Sequence, residues 1–386
     1  MKIVSYIIFF TVFFSIYGLV NYYIFIRGWH LLPRGSSART LYMVLFIVAA
    51  SSFIVGRVFE KVSICPFSSV CIWIGSFWFA FMLYFFIAAL FVDIIRISNH
   101  YIGYLPDFIT SSYTRAGQII ALVVIAASTI TVAAGYFNAR DVRVTELDLS
   151  IPKQGGNPGE LNITAVSDIH LGIIISNSRL EQLVNMINGT NPDIVLLVGD
   201  IVDEDLAPVI ENNLGETLCE IRSRYGTYAV TGNHEYIGGV EPAVAYMRDH
   251  GITVLRDQVV NIEDYLYLVG REDRSLNTYS GKRRKSISEI IEGIDKSMPI
   301  IVMDHQPFGL ADAAAAGIDL QLSGHTHNGQ LWPLNYVIDL IYELGSGYRK
   351  IGNTHFYVSK GSGTWGPPVR VGNRPEIVRI HINFSR

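Results

Sequence analysis

The chain has 386 residues, a net charge of −4 and 50% hydrophobic residues, with a mean hydropathy of +0.31. That length exceeds one small domain, the hydropathy is high for a soluble protein, and the acidic balance argues against a nucleic-acid partner, which needs a concentrated basic surface. Cys65, Cys71 and Cys219 are the three cysteines, and their spacing gives neither a disulfide framework nor a thiolate zinc site.

The apolar residues crowd into the first third. Four stretches, 3–26, 41–59, 70–95 and 117–137, are each long enough to cross a bilayer, which takes roughly 20 residues as helix. Apolar side chains cover every face of them, unlike the single stripe of a soluble amphipathic helix. The expected division is a four-span α-helical membrane region over 1–139, a linker and leading strand over 140–160, and a second domain over 161–386. Asp93 and Arg96, three apart, share a helix face and are expected to form an interfacial pair rather than part of a transport path. Basic residues divide almost evenly between the two sides: Arg27, Arg34, Arg39, Arg96 and Arg115 against Lys2, Arg57, Lys61, Arg140 and Arg143. The dense first loop is read as cytoplasmic, which puts the second domain on the outer face of the membrane.

From residue 140 onward the pattern is that of an α/β protein. Strands are expected over 142–151, 161–167, 194–198, 228–230, 265–269, 300–303 and 320–322, with a turn cluster over 153–159. Helices are expected over 178–188, 209–222, 240–250 and 286–294. The first of these has Leu180, Leu183, Val184 and Ile187 as its apolar face. The unbroken apolar run 194–198 fits a strand covered on both sides. Together these elements imply a layered domain with polar residues collecting where strands end.

Those strand ends carry the chemistry. In order they read Asp168-Ile169-His170, Gly199-Asp200-Ile201-Val202-Asp203, Gly232-Asn233-His234-Glu235, Asp304-His305-Gln306 and Gly324-His325-Thr326-His327. Alternate residues on a strand project to one side, so Asp168 and His170 can share a metal, and His325 and His327 can serve neighbouring ions. Glycine beside a ligand lets the backbone turn sharply. Carboxylate, imidazole and amide ligands suit manganese, iron or zinc, with manganese favoured. Two divalent ions ~4 Å apart that share one carboxylate would clamp a phosphate for in-line attack.

This ordered set resembles the calcineurin-like metallophosphoesterase superfamily, from Leu161 to the C-terminus. The resemblance implies a layered β-sandwich flanked by helices, and a dinuclear centre that hydrolyses phosphate mono- or diesters. It implies that Asp168, His170, Asp200 and His327 hold one ion. Asp200, Asn233, His305 and His325 would hold the second, with Asp200 bridging. A hydroxide between the ions would attack phosphorus, and His234, oriented by Asp203, would act as general acid. The run Val358-Ser359-Lys360-Gly361-Ser362-Gly363-Thr364-Trp365-Gly366-Pro367-Pro368 is similar to a bacterial branch of membrane-attached or exported phosphohydrolases. That likeness implies the bacterial inner membrane. Asn328 stands where that branch more often has glycine.

The motifs set the reaction, not the substrate. Segment 332–344 is apolar and is expected to be a helix packed over the sheet, the alternative being an exposed lip reaching the bilayer. Lys282-Arg283-Arg284-Lys285 is expected to be a solvated face, the alternative being contact with anionic lipid headgroups. Arg271, Asp273 and Arg274 follow a strand end and are candidates for the cleft. The expected function is an anchored phosphoesterase whose substrate is a phospholipid, lipid-linked or cell-envelope ester, with the lipid bilayer as a partner. Two alternatives remain: a transporter or sensor with a regulatory metal-binding domain, and an anchored phosphoesterase for soluble substrates.

Overall fold

The computed structural model describes residues 2–153 and 159–384, so most of the expected turn cluster, 154–158, lies outside the described residues. The chain divides into two compact units, Met1–Gly135 and Tyr136–Arg386.

The first unit is helical. Helices Lys2–Leu31, Ser37–Glu60, Pro66–Ile102 and Tyr113–Asn138 contain four segments long and apolar enough to cross a membrane, by length and composition. Small residues let the helices touch: a Cβ on Gly75 would lie 2.3 Å from the Phe53 backbone nitrogen. Asn21 is buried between helices, where its Oδ1 accepts from Trp78 Nε1 at 2.9 Å and its Nδ2 donates to the Tyr17 carbonyl at 2.8 Å. The expected pairing of Asp93 with Arg96 is not what forms. Asp93 accepts from Tyr23 and Arg27 of the first helix, while the Arg96 guanidinium lies 5.8 Å from the Tyr113 ring centre. The first helix brings a phenol and a guanidinium to Asp93, and their convergence outcompetes a neighbour one turn away on the same helix.

The second unit is a two-sheet sandwich. Its strands are β1 (Arg143–Ile151), β2 (Glu160–Val166), β3 (Ile194–Val198), β4 (Thr227–Val230), β5 (Thr253–Val254), β6 (Gln258–Ile262), β7 (Leu266–Gly270), β8 (Ile300–Met303), β9 (Leu320–Ser323), β10 (Gly347–Ile351), β11 (Thr354–Val358) and β12 (Glu376–Phe384). One six-stranded sheet has the order β1-β12-β2-β3-β4-β5, the other β10-β11-β9-β8-β7-β6. Strands β2 to β5 run parallel, as do β7, β8, β9 and β11, so the ends that precede the motifs gather along one edge.

Strand alternation builds the layers. Ile194, Leu196 and Val198 of β3 face the other sheet, where Leu268, Ile301, Met303, Leu320 and Leu322 meet them. Val195 and Leu197 face outward, against Leu180, Leu183, Val184 and Ile187 of helix Asn177–Gly189. Both faces of β3 are thus covered, which is why it has no polar position. A third cluster, with Val269, Ile300, Val302 and Leu310, closes the outer face of the second sheet.

Two expected helices are shorter than their patterns suggest. The 209–222 pattern is split into Ala207–Glu211 and Leu214–Leu218, because Asn213 adopts φ +56 between them. Of 286–294 only Ile287–Ile290 is helical, capped by Ser286, whose hydroxyl accepts from the Glu289 N–H.

Candidate metal centre

The motif residues do meet, but not by strand alternation. Asp168 and His170 lie beyond the end of β2, His325 and His327 beyond β9, and Asp200 beyond β3. Each has a left-handed backbone, with φ of 53°, 53°, 73°, 47° and 50° respectively. Non-glycine residues in that region cost energy and collect at functional sites. Asn328 also sits there, at φ 47°, a conformation that asparagine tolerates.

The glycines of the motifs do more than turn the chain. A Cβ on Gly324 would lie 2.3 Å from Asp168 Oδ2, and one on Gly232 would lie 2.2 Å from Asp200 Oδ1. In each case the missing side chain is the space a neighbouring carboxylate occupies. The His325 backbone N–H then donates to Asp168 Oδ1 at 2.9 Å, and the His234 N–H donates to Asp200 Oδ1 at 2.9 Å.

Among the described residues, three groups of side chains are placed so that each could hold a metal ion: Asp168 with His170 and His327; Asp200 with His305 and His325; His170 with Asp203 and His234. His327 Nε2 is 3.5 Å from Asp168 Oδ1 and 3.0 Å from His170 Nε2. His305 Nε2 is 3.1 Å from Asp200 Oδ2, and His170 Nε2 is 4.0 Å from the same oxygen. Asp200 Oδ2 therefore stands between the first two groups. His234 Nδ1 is 3.2 Å from Asp203 Oδ1, and the His234 ring is edge-on to His170 with centres 4.6 Å apart.

The donor set fits divalent cations. His305 Nδ1–H donates to the Val198 carbonyl at 2.7 Å, which turns the Nε2 lone pair toward the Asp200 carboxylate. Two lone pairs at that separation repel unless positive charge lies with them. A proton can supply that charge, since burial lowers the His305 pKa but the charge of Asp200 outweighs it and holds the imidazole well above its ordinary range; a divalent ion would take the proton's place. Asn233 Oδ1 is buried without a hydrogen-bond partner, as a ligand oxygen would be. Burial, then the charge of His305, pulls His325 down to about 3, and burial, then His170 and Arg370, pulls His327 well down, so both rings stay neutral. Burial, then the neighbouring Asp200, pushes Asp168 up. Asp200 itself is held well down against burial by His305 and His234.

Sequence reasoning passes over several residues that build the site. Glu235 is buried, and its carboxylate accepts the backbone N–H groups of Ile201 (2.7 Å), Val202 (2.9 Å), Gly232 (2.7 Å) and Asp200 (3.2 Å). It sits three residues after Gly232, the acidic position of a helix start, and that spacing is its only sequence signal. Arg370 is fully buried, donates to the carbonyls of Gly361 and Gly363, and lies 3.2 Å from His327 Nδ1. Trp365 is half exposed, with its ring centre 5.8 Å from that of His234. Gln330 fixes it by accepting from the Trp365 N–H at 3.0 Å and donating to its carbonyl at 3.0 Å.

The basic run is not simply a solvated face. Arg284 donates to Asp304 Oδ1 at 2.8 Å and Arg271 to Asp304 Oδ2 at 2.7 Å, around a carboxylate with no exposure. Arg283 pairs with Glu289 through both nitrogens, and the Lys285 N–H donates to Asp257. Arg271 and Asp273 are thus structural, since Asp273 is buried and accepts from Gln306. Arg274 lies 4.7 Å from the Phe308 ring centre. Segment 332–344 is not packed over the sheet either: helix Asn335–Ile341 has no buried residue.

The calcineurin-like phosphoesterase family model matches residues 161–329. The chain is similar to a bovine (Bos taurus) transmembrane protein with metallophosphoesterase domain, 32% identical over 283 residues, covering 69% of this chain and 63% of that one. It is also similar to uncharacterized metallophosphoesterases of Aquifex aeolicus and Campylobacter jejuni. The first is 32% identical over 225 residues, 58% of this chain and 85% of the relative. The second is 30% identical over 271 residues, 69% and 71%. The match spans under two thirds of the vertebrate relatives' own length, 63% in cattle and 62% in zebrafish (Danio rerio). Four long apolar helices and a layered α/β unit bearing this cluster of candidate metal ligands lie in one chain, and that chain belongs to the calcineurin-like phosphoesterase family.

Proposed function

We propose that the chain is a membrane-anchored phosphoesterase that hydrolyses a phosphate mono- or diester with two divalent ions, manganese favoured. Asp168, His170, Asp200 and His327 would hold one ion. Asp200, Asn233, His305 and His325 would hold the other. The observation that carries this reading is the position of Asp200 Oδ2, 3.1 Å from His305 Nε2 and 4.0 Å from His170 Nε2. Such ions supply charge neutralisation at phosphate oxygens and acidify water.

The chain's own groups supply the rest. Burial lowers the pKa of His234, but the charges of Asp200 and Asp203 outweigh it and raise the pKa to about 9. Ions on Asp200 would offset that carboxylate, which leaves Asp203 as the partner that keeps the ring cationic. With Nδ1 turned to Asp203, the transferable proton is on Nε2, which suits donation to a leaving oxygen. The His234 N–H bond to Asp200 ties this acid to the shared carboxylate. Glu235 holds the Asp200 and Gly232 loops in register.

For substrate we favour an ester borne by a phospholipid, a lipid-linked molecule or another envelope component. Asn138, the last residue of the fourth long apolar helix, donates to the carbonyls of Arg370 (2.9 Å) and Asn373 (2.7 Å). Arg370 in turn reaches His327. The cluster is therefore a short chain of contacts from where the backbone leaves an apolar helix. Placement in a bacterial plasma membrane rests on the likeness of the 358–368 run, and placement of this unit outside rests on the arginine-rich first loop.

The test is turnover of a generic aryl phosphate ester by purified protein with Mn²⁺. Asp200→Asn and His234→Ala are expected to abolish it while leaving circular dichroism unchanged. Unaltered turnover in both variants would overturn the mechanism.

A further inference from the structure

We propose that Trp332 to Ile341 forms a bilayer-inserting edge of the catalytic unit. Tyr336, Val337, Leu340 and Ile341 are 61%, 47%, 87% and 56% exposed. Their spacing places them along one side of helix Asn335–Ile341. The side turned toward the unit carries buried Leu331 and half-buried Asn335, Ile338 and Tyr342. This is the reverse of a solvated surface helix, whose polar face looks outward.

The helix is held firmly in that pose. The Trp332 N–H donates to the Val371 carbonyl at 2.9 Å, and Thr326 Oγ1 donates to the Gly345 carbonyl at 2.6 Å. Beyond the helix, the Tyr342 ring centre lies 4.7 Å from that of Phe308 and 6.0 Å from that of His325. The apolar edge therefore continues directly into the wall of the metal cluster.

What covers this face follows from its neighbours within the same unit. A Cβ on Gly372 would lie 3.0 Å from Trp332 Cβ, so Trp332 packs on the loop whose Arg370 and Asn373 carbonyls receive Asn138. The exposed segment thus borders the loop bound by Asn138, the residue that ends an apolar helix long enough to span a membrane. Trp332 is half exposed, and tryptophan and tyrosine favour the water–bilayer boundary. Segment 332–350 balances Asp339 and Glu343 against Arg349 and Lys350. Insertion is accordingly driven by apolar surface and needs no anionic lipid. The inference rests on the four helices crossing a bilayer and is independent of which ester is hydrolysed.

The experiment uses the full chain in phosphatidylcholine vesicles, with Cys65, Cys71 and Cys219 replaced by serine. An environment-sensitive fluorophore is placed at Leu340→Cys, at Glu292→Cys as an exposed reference and at Ile125→Cys as a lipid-facing reference. The Leu340 label is expected to be quenched by nitroxide lipids as strongly as the Ile125 label. It should also be shielded from aqueous iodide several-fold better than the Glu292 label. Raising salt to molar levels, where charges are screened within ~3 Å, should leave this unchanged. Iodide access equal to that at Glu292 would overturn the proposal. So would shielding from both quenchers, which would mean that a protein surface covers the helix. An Ile125 label open to iodide would instead remove the membrane-spanning premise.

Discussion

Glu235 shows how much of the candidate metal centre is set by a residue that touches no candidate ligand side chain. Its two oxygens collect four backbone N–H groups from the loops that carry Asp200 and Asn233. Without an acceptor there, those donors would be buried and unpaired. Glutamine is nearly the same size but presents an NH₂ group where one oxygen was, so two donors lose their acceptor. At ~1–3 kcal/mol for each of these two buried unsatisfied groups, Glu235→Gln should cost about 2–6 kcal/mol. A fall in the melting temperature of the second unit, followed by intrinsic fluorescence, would show it, together with reduced metal content. An unchanged melting curve would mean that the loops hold their shape without this carboxylate. The same logic applies at Gly232 and Gly324, where the close carboxylates leave no room for a methyl group.

At the level of elements, the hairpin of β10 and β11 carries a titratable group away from the metal cluster. His355 on β11 is buried, and its Nδ1 lies 2.8 Å from the hydroxyl of Tyr348 on β10. Burial, then the charge of Lys350, lowers its pKa below the ordinary 6.5. The folded form therefore prefers a neutral ring, and the unfolded chain takes up a proton first as pH falls. Stability from this ring is present above pH ~6.5 and is lost as pH drops through the folded value. His355→Gln should flatten the dependence of the unfolding midpoint on pH between 7 and 5 relative to the parent protein. Identical slopes would exclude His355 as a contributor. This hairpin is also where sequence patterns are least informative. Strands β2, β3, β8 and β9 are legible because runs such as 194–198 are unbroken apolar segments ending in a motif. Tyr348, Arg349 and Lys350 make β10 look like a loop, and its strand character comes only from pairing with β11. Strand β12 does alternate, with Val378, Ile380 and Ile382 inward, but its place between β1 and β2 depends on long-range pairing. The candidate site residues that gather at the strand ends are legible by type and order. The left-handed backbones that bring them together are not, because Asp and His are enriched at positive φ but adopt it at only a minority of their positions.

For the whole molecule, the second unit builds an acidic and imidazole cluster into its interior and braces it from outside the metal sites. Asp168 and Asp200 are almost fully buried, and the repulsion between their carboxylates is relieved by positive charge placed with them. The bracing by Glu235, by the Gly324 and Gly232 contacts and by Arg370 does not depend on that charge. Removing metal should therefore weaken the unit without dismantling it. A ligand that binds only the folded form contributes ~2.7 kcal/mol when present at about 100 times its dissociation constant. Chelation should lower the melting temperature of the second unit, and added Mn²⁺ should restore it in proportion to the logarithm of its concentration. Far-UV circular dichroism at room temperature should not change. The helices of the first unit draw their packing from contacts such as Asn21 with Trp78 and Gly75 with Phe53, and their melting should ignore the metal. Scanning calorimetry in detergent, with and without chelator, separates the two. A loss of secondary structure on chelation would show that the metals are part of the folding nucleus rather than guests in a prebuilt site.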